Sequence, residues 1–284
     1  VLKKEVSVSE IFGFDAYSPK EISMRIENVG VTKARLPFIS LVALGVLAGG
    51  FIGLGALYYT VVASDINLGF AASRVLGGVA FSLGLILVVV AGAELFTGNN
   101  LLVMAWVGKR ISTGELLKNW IIVYAANFIG AAGLALLVYL SYHWEMADGA
   151  IGAAAVKIAV YKTSLPFWKA FFNGILCNIL VCLAVWLASA GRNVVDKIIA
   201  IVFPISAFVA AGFEHSVANM YFISLGILLR DVVPATELAN INSLNLTGFV
   251  NNLIPVTIGN IIGGGIMVAL VYYMVYGRAD KTSA

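Results

Sequence analysis

Charge is nearly absent from long stretches of this chain. Leu36 to Ser64, Asn119 to Trp144 and Ala170 to Gly191 contain no Asp, Glu, Lys or Arg. Val75 to Gly108 holds one charge, Glu94, and Ile198 to Leu229 holds only Glu214 beside His215. Val232 to Gly277 holds Glu237 near its start, and its apolar part runs from about Phe249. A bilayer span needs about 20 mostly apolar residues, so these six units read as membrane spans. Only 12% of the residues are charged, against about 25% in an average soluble domain. That is too little to cover a soluble globule of 284 residues. A soluble enzyme and a disordered chain are excluded. The net charge of +3 leaves no nucleic-acid footprint.

The units at Val75–Gly108 and Ile198–Leu229 are too long for one crossing. At ~1.5 Å per residue either exceeds a ~30 Å hydrocarbon core. Each carries its charge mid-way, among small or polar residues: Gly92, Thr97, Gly98, Asn99 and Asn100 in one, Gly212, Ser216 and Asn219 in the other. Non-helical backbone at membrane depth is tolerated only where protein buries it or where it lines a watery cavity. Both units therefore read as broken helices that meet a pore.

An internal repeat supports this. Ala91-Gly92-Ala93-Glu94 and Asn99 match Ala211-Gly212-Phe213-Glu214 and Asn219 at an offset of 120, and Asn127-x-x-Gly130 matches Asn260-x-x-Gly263. Three spans per half invert the second half relative to the first, which places a site near the midplane. The expected fold is an all-α membrane bundle of six helices with inverted three-helix repeats at about 36–144 and 166–277. The channel domain covers 36–277, between a segment at 1–35 and a tail at 278–284. The first 35 residues are polar and mixed in charge and do not read as a cleavable signal peptide.

Thirteen Lys and Arg fall on the side of the termini and five on the other, namely Arg74, Lys157, Lys162, Lys169 and Arg230. The positive-inside rule then makes both termini cytoplasmic. Pro19 to about Lys33 is expected to form an amphipathic helix at the cytoplasmic surface. Ser18 caps it, Pro19 suits its first turn, and Ile22, Met24, Ile26 and Val29 are its apolar residues. A plain solubilising leader is the alternative.

Ionisable groups at membrane depth are costly and mark function by default. Three qualify: Glu94, Glu214 and His215. The glutamates occupy equivalent repeat positions, as do Asn99 and Asn219, so these four read as scaffold for the breaks. The carboxylates are expected to accept hydrogen bonds from freed backbone N–H groups, with proton relay or cation coordination as the alternative. His215 faces Leu95 in the repeat, and that asymmetry favours function over scaffold. An imidazole can switch between neutral and charged forms. Thr97, Asn178, Asn127 and Asn260 can supply neutral hydrogen bonds, and Asn127 and Asn260, beside small residues, suit helix joining. Cys177 and Cys182 lie on different sides of one helix and are not expected to pair. No spacing suggests a metal site, and no cofactor is expected.

Four motifs resemble the formate/nitrite transporters. They are Phe81-Ser-Leu-Gly-Leu-Ile-Leu87 with Gly92-Ala-Glu-Leu-Phe-Thr-Gly-Asn99, Gly212-Phe-Glu-His-Ser-Val-Ala-Asn-Met220, Asn178-Ile-Leu-Val-Cys-Leu-Ala-Val-Trp186, and Asn252-Leu-Ile-Pro-Val-Thr-Ile-Gly-Asn-Ile-Ile-Gly-Gly-Gly265. The likeness runs from about Pro37 to Tyr276. It implies an aquaporin-like fold, a homopentamer with one pore per protomer, and a cell inner membrane location. It also implies no enzymatic activity, and transport of a small anion coupled to protons. By matching position, His215 takes the role of the pore histidine and Thr97 that of the threonine on the first break. Asn178 is similar to an asparagine that bonds the histidine. Lys162 resembles a vestibule lysine that draws in anions, and Leu95, Phe81 and Phe208 resemble constriction residues. Gly98 stands where the best-known formate channels have serine, which leaves formate, nitrite and hydrosulfide open as substrates. A quinone- or haem-binding membrane subunit and a neutral-solute channel are the rival classes. One mid-span His and short connections weigh against the first of these.

Overall fold

A computed structural model describes residues 16–233 and 240–277. Lys3, Lys4, Glu237, Arg278 and Lys281 lie outside the described residues, as does the tail at 278–284. The described residues are mostly helical and contain no strand. Among the described residues, six helices are long and apolar enough to cross a membrane: Phe38–Ala63, Phe70–Gly92, Thr113–Leu140, Phe167–Ala190, Val194–Ala211 and Leu246–Gly277.

In chain order, α1 is Pro19–Ala34 and α2 is Phe38–Ala63. Helix α3 is Phe70–Ile86, prolonged by a wide turn at Leu87–Gly92. Then α4 is Val103–Val107, entered through a 3-10 turn at Gly98–Leu102. Helices α5 (Thr113–Leu140), α6 (Ala150–Thr163), α7 (Phe167–Ala190), α8 (Val194–Ala211) and α9 (Ser216–Leu229) follow. Finally α10 is Leu246–Ile261, continued by π-helical turns at Ile262–Leu270 and Tyr273–Gly277. The two overlong hydrophobic units are broken, the first between Gly92 and Gly98 and the second at Gly212–His215.

Polarity is turned inside out relative to a soluble protein. Ile39, Ile121, Leu137 and Phe203 are exposed, while Asn99, Asn119, Asn127, Asn178, Asn219, Asn252 and Asn260 are buried. Between spans there is no hydrophobic drive in lipid, so close backbone approach and polar bonds hold helices together. Glycines supply the approach. A Cβ on Gly130 of α5 would overlap the carbonyl of Val46 on α2, and one on Gly263 would overlap the carbonyl of Ile175 on α7. The two contacts are repeat-equivalent, and they give the shared Asn-x-x-Gly its physical meaning. Cys177 and Cys182 are buried and free.

Helix α1 starts as its sequence predicts. Ser18 accepts from the Glu21 N–H and Pro19 stands in the first turn. Its packed face differs from expectation. Ile22, Ile26, Gly30 and Ala34 are buried, while Met24 and Val29 are 43% and 50% exposed. The i, i+4 row with small residues wins because α1 lies directly on the second half of the first broken helix. A Cβ on Gly30 would come within 3.2 Å of the Ala105 Cβ.

Helix α6 was not foreseen. Its register follows α1 at an offset of 129, which also relates Lys33 to Lys162, Pro37 to Pro166, Phe38 to Phe167 and Gly45 to Gly174. The repeat therefore includes a short helix ahead of each first span, so α1 is built into the fold.

Candidate functional site

The two breaks are assembled by one plan. At the first, Gly92 takes a left-handed φ of 86° and the chain turns extended at Ala93. Gly212 does the same at the second, with φ 77°. This is the region where a Cβ is penalised and glycine is not. The backbone groups freed by the turn are then met one by one. At the first break Glu94 N–H donates to the Leu44 carbonyl at 3.2 Å. Phe96 N–H donates to Asn127 Oδ1 at 2.9 Å. Asn127 Nδ2 donates to the Gly45 and Glu94 carbonyls at 2.7 and 2.9 Å. At the second, Glu214 N–H donates to the Asn173 carbonyl at 3.3 Å and Ser216 N–H to Asn260 Oδ1 at 3.0 Å. Asn260 Nδ2 donates to the Gly174 and Glu214 carbonyls at 2.8 and 3.0 Å. Asn127 and Asn260 thus join helices, as expected, and also hold each break open.

Among the described residues no backbone N–H donates to either glutamate carboxylate, contrary to the expectation. Glu94 accepts from Asn99 Nδ2 at 2.7 Å and from the Lys33 ammonium at 3.0 Å. Asn99 also donates to Asn119 Oδ1, and Asn119 to the Lys33 carbonyl. The second half repeats the cluster. Glu214 accepts from Asn219 Nδ2 at 2.6 Å and from Lys162 Nζ at 3.0 and 3.1 Å. Asn219 donates to Asn252 Oδ1, and Asn252 to the Lys162 carbonyl. A lone carboxylate at mid-helix costs about 3 kcal/mol on insertion scales, and the ammonium answers that charge. Lys162 is consequently a buried, paired lysine, with Nζ also 5.3 Å from the centre of the Phe222 ring.

Sequence reasoning missed Lys33, Asn119 and Asn252. The offsets of 129 and 133 that relate them to Lys162, Asn252 and Asn119 were the available signal.

His215 and Thr97 meet across the two halves. Thr97 Oγ1 lies 2.8 Å from His215 Nε2. His215 is the N-cap of α9, and its Nδ1 accepts from Ala218 N–H at 3.0 Å. An acceptor at Nδ1 leaves the ring proton on Nε2 in the neutral imidazole, so Nε2 donates to Thr97. Asn178 does not reach the histidine. Its Nδ2 donates to the carbonyls of Thr97 at 3.2 Å and Asn260 at 2.7 Å, so it braces the threonine that the histidine bonds. A buried Oδ1 on Asn178 has no partner.

Two cavities approach this pair. One, of about 420 Å³ on the α6 side, is lined by Phe81, Phe208, His215, Lys162 and Glu214 among others. The other, of about 590 Å³ on the α1 side, is lined by Leu95, Leu85, Val88, Lys33 and Glu94 among others. Between them the side chains of Phe81, Leu95, Phe208, Thr97 and His215 are all at most 3% exposed. Phe81 and Phe208 pack edge to face with ring centres 5.6 Å apart, and Phe208 stacks on His215 at 6.0 Å. The arrangement is a buried, largely apolar plug with the titratable His215 in it, reached by a cavity from either face.

The comparisons agree with this architecture. The family model described as formate/nitrite transporter matches residues 20–274. The chain is 41% identical over 278 residues to the formate channel FocA of Escherichia coli (strain K12), covering 94% of this chain and 97% of that one. It is 40% identical over 271 residues to the uncharacterized transporter YrhG of Bacillus subtilis (strain 168), covering 93% and 95%. Among solved structures it resembles a pentameric formate channel with formate bound, at TM-score 0.78 and 39% identity, covering 84% of this chain and 97% of that one. It also resembles an FNT family ion channel at TM-score 0.79 and 29% identity, covering 90% and 98%. With broken helices, inverted halves and a family match over most of its length, the chain belongs to the formate/nitrite transporter family.

Proposed function

We propose that this protein is a proton-coupled channel for a small monovalent anion, with formate as substrate, assembled as a homopentamer in the cell inner membrane with both termini cytoplasmic. The observation that carries the reading is the plug: apolar side chains close the path between two cavities, and His215 is the one titratable group set within it. Similarity to formate channels supports the substrate and the pentamer. The Lys and Arg bias supports the orientation, which makes the α1-side cavity cytoplasmic.

An anion that leaves the cavity for the plug loses its hydration, and an unpaired charge in an apolar setting is heavily penalised. Taking up a proton turns formate into neutral formic acid and removes most of that penalty. His215 Nε2–H, now bonded to Thr97, is the donor positioned to meet the anion. Giving that proton away while keeping the ring neutral requires a proton to arrive at Nδ1. Nδ1 is occupied by the Ala218 N–H, so proton coupling requires the first turn of α9 to release it. Lys162 and Lys33 hold their broken-helix carboxylates in this scheme.

One observation favours a second reading within the family. Gly98 lines the α1-side cavity, and a Cβ there would meet only Val185 Cγ2 at 3.7 Å. The missing side chain is therefore spare room beside the plug, and nitrite or hydrosulfide fits the same path. The test is a proteoliposome flux panel with formate, nitrite and hydrosulfide over a pH series. Formate flux that rises with proton supply supports the reading. Passage of uncharged solutes alone would defeat it.

A further inference from the structure

Arg74, on α3, lines the mouth of the α6-side cavity that holds Lys162 and His215. Its Nη1 lies 3.4 Å from the Tyr59 hydroxyl, and its guanidinium carbon is 5.5 Å from the centre of the Phe70 ring. A Cβ on Gly212 would be 3.4 Å from Nη2, so the guanidinium rests against the turn that leads into Glu214 and His215. Lys162 is engaged by both oxygens of Glu214. Arg74 has no carboxylate partner among the described residues. Its repeat position is Val194, an exposed apolar residue, so the α1-side half carries no counterpart. Like His215, Arg74 breaks the symmetry of the repeat.

We propose that Arg74 is the anion-receiving residue of the α6-side mouth, and that it selects planar anions with two oxygens on one centre over single-centre anions. The inference rests on the anion-channel reading above. A guanidinium is planar and presents paired N–H donors that match a carboxylate or nitrite with two parallel hydrogen bonds. Tyr59 and Phe70 fix its plane. An ammonium at the same place offers charge without that match. Hydrosulfide and chloride feel the charge alone, an attraction that salt screens. The Lys162–Glu214 pair, whose charges cancel, supplies little of this attraction. A purely structural role is the competing account, because a cation near Gly212 also complements the C-terminal end of α8.

The test uses the full-length protein in proteoliposomes. Uptake of formate, nitrite and hydrosulfide is measured against concentration for wild type, Arg74→Lys, Arg74→Ala and Tyr59→Phe, at low and high salt. Arg74→Lys is expected to raise the half-saturating concentration of formate and nitrite about fivefold, the loss of one charge-assisted hydrogen bond at a part-exposed site. It leaves hydrosulfide and the maximal flux unchanged. Arg74→Ala is expected to weaken all three anions, most at low salt. Tyr59→Phe shifts formate and nitrite in the same direction as Arg74→Lys but less. If Arg74→Lys moves all three anions alike or none of them, or lowers maximal flux at unchanged half-saturation, the inference is wrong and Arg74 is structural. A wild type without formate uptake would instead remove the channel reading, and the inference with it.

Discussion

Thr97 Oγ1 and His215 Nε2 stand 2.8 Å apart, one from each inverted half. The contact joins the two breaks at a place where the repeat is not symmetric, since Leu95 occupies the position equivalent to His215. The glycine turns, the Asn127 and Asn260 braces and the lysine–glutamate bonds around the pair are duplicated. The duplicated parts hold two broken ends face to face, and the unduplicated histidine occupies the gap.

Lys162 is expected to matter for stability before it matters for attraction. Lys162→Ala leaves Glu214 buried without its cation, and breaking a buried pair from one side costs about 3 kcal/mol or more. The loss should be similar at low and high salt, because the pair is shielded from solvent, and Glu214→Gln in the same chain should restore much of it. Lys33→Ala should cost less, since the Lys33 side chain is 26% exposed against 11% for Lys162. Thermal unfolding of the detergent-solubilised protein, followed at two salt concentrations, checks the order. A salt-dependent flux defect with unchanged unfolding would return Lys162 to the role of an open anion lure.

The first helix should couple to the first break. Removing residues 1–30 deletes Ile22, Ile26 and Gly30 from the face that covers Leu102 and Ala105. The truncated channel should still fold, unfold at lower temperature, and respond less to acid on the α1 side. The same flattening should follow from Gly30→Leu, whose side chain has no room against Ala105. Normal unfolding and an unaltered acid response in both variants would make α1 a passive cover.

The cap of α1 carries its own pH dependence. The Ser18 backbone N–H, and after it the Ser18 hydroxyl, hold the Glu21 carboxyl below its ordinary range. A carboxylate lowered by folding stabilises the folded form fully above its ordinary range and loses that contribution as pH falls through the lowered value. Fraying of the first turn of α1 should therefore increase toward strongly acidic pH. Hydrogen exchange at Glu21 and Ile22 measures it. Ser18→Ala should show the frayed exchange already at neutral pH, and equal protection in both proteins would remove the cap from the account.

Asn260→Ala should open the second break. The variant leaves Ser216 N–H and the Gly174 and Glu214 carbonyls without their shared partner. Buried groups stripped of hydrogen bonds cost about 1–3 kcal/mol each before any relaxation. Asn260→Asp, which keeps the acceptor for Ser216 but not the donors, should fall between the two in unfolding temperature. Equal stability of all three would mean the glycine turn alone holds the break.

Much of this architecture was legible because a membrane writes its demands into sequence. Long charge-free runs are spans, and a glutamate inside one, beside glycine and asparagine, marks a break. Those signals are local. The lysine partners of Glu94 and Glu214 are not, since Lys33 and Lys162 sit on helices that lie far off in the chain and look like surface leader or loop. Helix α6 is short and mixes small and charged residues without a clear stripe, so periodicity does not announce it. The packed face of α1 is set by the close approach of Gly30 to Ala105 and Leu102, a steric fit that no hydrophobic pattern reveals. The histidine was legible from its place inside a span and from its asymmetry in the repeat, whereas its donor direction toward Thr97 depends on the Ala218 N–H in the fold.

His215→Asn separates proton-coupled passage of the anion through His215 from passage without proton transfer. Asparagine can still cap α9 through its side-chain oxygen, so the fold should survive, while no proton can be taken up or passed on. Formate flux into proteoliposomes, measured for both proteins across a pH series with an imposed proton gradient, should vary with pH in the wild type and lie flat in the variant. A variant with the wild-type pH profile would contradict the account.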